Sequence, residues 1–142
     1  MVCGAIAARL SPMETRRWTN PSQPQTLYMA HLFLYISAAF NVLYGMIRGF
    51  TWVLPGFGRP SIALVACEIA GGYLIANERR AGWWLGLGSV ALSLYPPGRA
   101  MLELGPGIIF DVNWILAVAF PVILLVLLIH PMSRDYQRIW FK

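Results

Sequence analysis

The chain has 142 residues, 58% of them hydrophobic and only 12% charged, against roughly 25% charged in soluble domains, so it reads as a single membrane-embedded domain. Its net charge of +5 is spread as arginines between apolar runs, without the clustered basic surface that nucleic-acid binding requires. Two cysteines, Cys3 near the N-terminus and Cys67 inside an apolar run, build no disulfide framework.

Residues 1–26 are expected to be a cytoplasmic lead-in. They lack the contiguous apolar stretch and small-residue cleavage site of a secretory signal, so the first helix should act as its own anchor. Met13 opens METRRWTNPSQPQ, which reads as a natural start and makes residues 1–12 an upstream extension. The prolines of NPSQPQ keep a helix from beginning early. About 20 apolar residues cross a hydrocarbon core of about 30 Å, and the sequence offers four such segments: 27–47, 61–77, 81–95 and 108–129. The two middle ones are short, and the third is the weakest. The turn NERRAG between them is tight and makes them an antiparallel hairpin. The connections RGFTWVLPGFGRP and PPGRAMLELGPG are longer, the second with room for one amphipathic turn at Met101 to Leu104. Pro121 falls inside the fourth segment, where it removes a backbone hydrogen bond and bends the helix. Residues 131–142 form a basic and aromatic tail suited to an anionic cytoplasmic surface or to solvent.

Charge orients these segments. Arg9, Arg16, Arg17, Arg79, Arg80, Arg134, Arg138 and Lys142 collect on one side, and Arg48, Arg59 and Arg99 on the other. The positive-inside rule then puts both termini in the cytoplasm. Trp18, Trp83, Trp84 and Trp140 fall at the inner boundary and Trp52 and Trp114 at the outer one, as an interfacial belt requires. The expected fold is an all-α, four-helix, up-down transmembrane bundle, in a bacterial inner membrane.

Small residues mark the packing faces. Gly82, Gly86, Ser89 and Ser93 recur at steps of four, three and four on the third helix, and Gly71 and Gly72 follow Glu68 on the second. Such stripes let helices approach closely. The expectation is that they hold the bundle together, with a homodimer seam or a cavity lining as the alternative.

The most specific chemical signal is a carboxylate at membrane depth. An ionised acid at the bilayer centre costs about 2.5–3.5 kcal/mol on insertion scales and normally finds a partner. Glu68 lies about 10 Å inside its helix, Asn41 at a similar depth in the first, and Asp111 about one turn inside the fourth. The three are expected to share a polar layer in the outer half of the membrane. If the two acids face each other, one must keep its proton; Arg48 and Arg99 are alternative partners, and Asp111 could instead cap its own helix. His31 and His130 both belong to the cytoplasmic half and raise the idea of a haem b held between two imidazoles. No nucleophile elbow, metal motif or phosphate loop is present, nor an internal repeat that would mark an inverted-repeat transporter.

These features point to a small polytopic membrane protein without its own enzymatic activity, acting as an accessory or scaffolding subunit of a larger membrane complex. Its partners would be the lipid bilayer and either other membrane subunits or further copies of itself. The rival reading is a small oligomeric transporter or channel with Glu68 as its proton or cation site. A haem-binding subunit comes third.

Overall fold

The computed structural model describes residues 17–56 and 58–142; Cys3, Arg9, Arg16 and the question of residues 1–12 lie outside them. The described residues are all-helical, with α1 at Gln25–Arg48, α2 at Ile62–Ala76, α3 at Arg80–Leu104, α4 at Val112–Ile129 and α5 at Pro131–Trp140. Each of the first four packs on the next, and α1 also meets α4, which closes a ring of four around a shared core. Two helices, α1 and α4, are long and apolar enough to cross a membrane, while α2 is apolar but only 15 residues long. Leu27, Leu34, Ile75, Val90, Leu124 and Leu128 form the core between them.

Three of the expected segments match their helices to within a few residues, but the third does not. Rather than stopping at Tyr95, α3 continues through Pro96 and Pro97 for 25 residues. Proline lacks an N–H, which removes the helical partner of the carbonyl four residues earlier, but its fixed φ is itself helical. The carbonyls of Leu92 and Ser93 lose those bonds while the backbone carries on. Trp114 Nε1, from α4, donates to the Pro97 carbonyl at 3.0 Å and braces the segment. The expected amphipathic turn at Met101 to Leu104 is therefore the last turn of α3, ended by Gly105 at φ 81°. A short 3₁₀ turn, Pro106–Phe110, then precedes α4.

Gly71, Gly72, Gly82 and Gly86 are points of close helix approach. A Cβ at Gly82 would come within 2.5 Å of the Ile75 nitrogen and 2.7 Å of the Leu74 carbonyl carbon, so α2 and α3 touch backbone to backbone. A Cβ at Gly71 would lie 3.2 Å from the Gly86 nitrogen, and Gly86 in turn meets Leu128 of α4. Gly72 points the other way and receives the Tyr35 ring from α1. Ser89 is buried and donates back to the Gly86 carbonyl at 2.8 Å. The stripe thus serves three helix pairs of the bundle.

The tail is an ordered helix rather than a solvated extension. His130 caps α5 by accepting from the Met132 N–H at 3.3 Å, with Pro131 in the first helical position, where its missing N–H costs nothing. Ser133 Oγ donates to the Leu127 carbonyl and lies 2.8 Å from Thr26 Oγ1. Tyr136 Oη donates to Glu78 at 2.7 Å. Backbone bonds from Arg80 N to the Lys142 carbonyl and from Lys142 N to the Glu78 carbonyl then fasten the segment under the α2–α3 turn. Arg134, Arg138, Ile139 and Trp140 remain exposed.

Candidate functional site

Glu68 sits at the midpoint of α2 with 1% of its surface exposed. Its side chain meets α1, where Ser37 and Asn41 stand one turn apart. Ser37 Oγ donates to Oε1 at 2.5 Å, and Asn41 Nδ2 lies 3.0 Å from both carboxyl oxygens. Two donors thus satisfy a group that would be costly to bury unpartnered. Asn41 takes the place expected of it. Ser37 was missed, although a polar pair at i and i+4 in an otherwise apolar helix marks one face and was there to be read.

Asp111 does not join this layer. It is the exposed N-cap of α4 and accepts from the N–H groups of Asn113 at 2.7 Å and Trp114 at 3.2 Å. The positive end of a helix and its unpaired N–H groups stabilise a carboxylate there more cheaply than a buried partner could. The three-residue layer is corrected to Glu68, Asn41 and Ser37. Arg48 and Arg99 do not pair with either acid: Arg99 is bonded to Glu103 one turn away, and Arg48 lies over the Tyr44 ring at 5.8 Å.

The two histidines have separate surroundings. His31 is fully buried, edge-on to Tyr28 and Tyr35 at centroid distances of 5.0 and 6.1 Å, and its ring nitrogens have no hydrogen-bond partner among the described residues. His130 turns to its own helix as the α5 cap. Nothing in these contacts pairs the imidazoles as axial ligands. Among the described residues, no group of three or more His, Cys, Asp or Glu side chains could hold a metal ion.

Next to the polar cluster lies a cavity of about 380 Å³. Its walls come from α1, the 49–61 connection, Leu64 of α2, α3 and α4, and its lining includes both Ser37 and Asn41, the residues that hold Glu68. All three prolines inside helices, Pro96, Pro97 and Pro121, line it, as does Ser93. Prolines 97 and 121 deprive the carbonyls of Ser93 and Ala117 of their helical N–H partners, and both of these residues face the cavity. Its lining is otherwise mostly aromatic and aliphatic.

The connection above the cavity is pinned. Thr51 N donates to the Pro60 carbonyl, Ile62 N to the Thr51 carbonyl, and Gly56 and Arg59 exchange a pair of backbone bonds. Gly58, at φ 65°, makes the tight turn between them, a left-handed conformation that glycine adopts without strain. No family model, curated protein or solved structure matches the chain.

Proposed function

We propose that the chain is a four-span membrane protein with both termini in the cytoplasm, in a bacterial inner membrane, and that it serves as a non-catalytic accessory or scaffolding subunit of a larger membrane complex. The observation behind this reading is how its polar interior is used. The one acid at membrane depth is closed off between α1 and α2 by Ser37 and Asn41, while the outward faces of α1 and α4 present Ile36, Leu43, Ile47, Ile115, Ile123 and Val126 to their surroundings. A buried carboxyl bonded across two helices fixes their register, and exposed apolar faces are surfaces for lateral contact. These faces are what the reading gives the chain to offer a partner within the membrane.

Native mass spectrometry after gentle extraction from the native membrane tests this reading. A stoichiometric complex with other proteins is the expected result, and a chain recovered only with copies of itself would overturn it. That second outcome favours a small oligomeric carrier, a reading supported by one observation: the cavity reaches the two residues that hold Glu68. Its own test is proton or cation flux in liposomes, which Glu68→Gln would abolish without loss of expression.

A further inference from the structure

We propose that the outer cavity binds an anionic lipid, with an acyl chain inside it and the headgroup on Arg48 and Arg59. The proposal rests on the membrane reading above and adds the ligand class. Phe40 and Tyr44 of α1 and Leu116 and Phe120 of α4 all line the cavity, yet each is between 45% and 62% exposed. The space therefore opens sideways between α1 and α4, into what the membrane reading makes the hydrocarbon of the outer leaflet. Its volume of about 380 Å³ lies within the roughly 300–1,000 Å³ of small-molecule sites, and an apolar wall with a few polar groups suits an amphiphile.

Charge decides the headgroup. Arg59 lines the mouth. Arg48 lies over the Tyr44 ring and beside Gly58, whose Cβ position is 3.8 Å from a guanidinium nitrogen of Arg48. Neither arginine forms an ion pair among the described residues. The acids at this end are already engaged, Glu103 by Arg99 and Asp111 by the start of α4. Two guanidinium groups without an acid partner among the described residues, at the rim of an apolar slot, favour a net-anionic headgroup over a zwitterionic one: guanidinium forks onto the phosphate of either, but the ammonium of the zwitterion cancels that charge and is repelled by the arginines. The site is preformed: backbone bonds fix the turn carrying Arg59, and the helical prolines Pro96, Pro97 and Pro121 line the walls, where they break the regular helix ladder.

The test uses the full chain reconstituted in vesicles of equal parts phosphatidylglycerol and phosphatidylcholine with identical acyl chains, followed by native mass spectrometry of the bound lipids. Retention of phosphatidylglycerol at least fivefold over phosphatidylcholine is expected. The double variant R48Q/R59Q should erase that preference, R99Q should keep it, and Ala117→Trp should reduce retention of both lipids by filling the slot. Equal retention of the two lipids by the wild-type chain would overturn the proposal, as would a preference that R99Q also removes, or glycerol 3-phosphate competing as well as the whole lipid. A chain that inserts but shows no preference removes only this proposal. A chain that fails to enter the bilayer removes the membrane reading with it.

Discussion

Replacing Gly82 by alanine gives the sharpest test of the α2–α3 contact. The added Cβ would lie 2.5 Å from the Ile75 nitrogen and 2.7 Å from the Leu74 carbonyl carbon, against an ordinary contact of about 3.5–4.0 Å. The obstacles are backbone atoms, so no side chain can swing aside and the helices must separate by about 1 Å along the seam. Overpacking of this kind costs about 1–3 kcal/mol. Gly88 lies on the same helix, and a Cβ there meets nothing within 4 Å, so Gly88→Ala should gain up to about 1 kcal/mol of helix propensity. Reversible unfolding in mixed micelles, followed by tryptophan fluorescence, should place the two midpoints on opposite sides of the wild type. Gly71→Ala, 3.2 Å from the Gly86 nitrogen, should fall between them. Coincident midpoints for Gly82→Ala and Gly88→Ala would show that the backbone contact does not hold the helices.

A double-mutant cycle between Glu68→Leu and Asn41→Leu should give a coupling of about 0.6–1.7 kcal/mol, the range measured for hydrogen bonds between membrane helices; the cycle of Glu68→Leu with Asp111→Asn should give none. Burial and the bond to Glu78 push the Tyr136 hydroxyl up to about 12. Because the folded value is raised, the docked tail should keep full stability below pH 10 and lose it between pH 10 and 12, as the unfolded chain ionises first. In an ultraviolet titration, Tyr136→Phe should remove a late-titrating tyrosine. Expression with full haem supply should yield a preparation without a Soret band, since His130 is turned to its own helix; a band lost on replacing His31 or His130 would refute that.

Helix positions were legible because long apolar runs bounded by Pro, Gly and charge leave few alternatives, and α1, α2 and α4 begin and end within a few residues of those bounds. The length of α3 was not, because Pro96-Pro97 reads locally as a stop and only Trp114, 17 residues further on, shows what braces the helix across it. Glu68 and Asn41 were found by asking what neutralises a buried acid. Asp111 was read two ways, as a member of their layer and as the cap of α4, because depth along the chain does not tell which way a helix turns; the structure has the cap. The sequence did carry the signal for α5, since a residue followed by proline is a common helix start, but a short polar segment after a long apolar run looks like a tail. The cavity had no linear signature: the prolines that line it lie on two helices and the 49–61 connection and converge only in the fold.

Under the four-span membrane reading proposed above, the unequal lengths of the helices have a consequence for the surrounding bilayer. At 1.5 Å per residue, the 15 residues of α2 span about 22 Å, the 24 of α1 about 36 Å, and a typical hydrocarbon core about 30 Å. On the flank where α2 exposes Ile62 and Ile69, lipid tails must shorten to meet it, while beside α1 they need not. Mismatch costs a fraction of a kcal/mol for each ångström, and that cost falls on one side only. On the four-span reading, the molecule therefore has a thin flank and a thick flank in the membrane plane, and a neighbour with a similarly short helix would relieve the strain on the thin one.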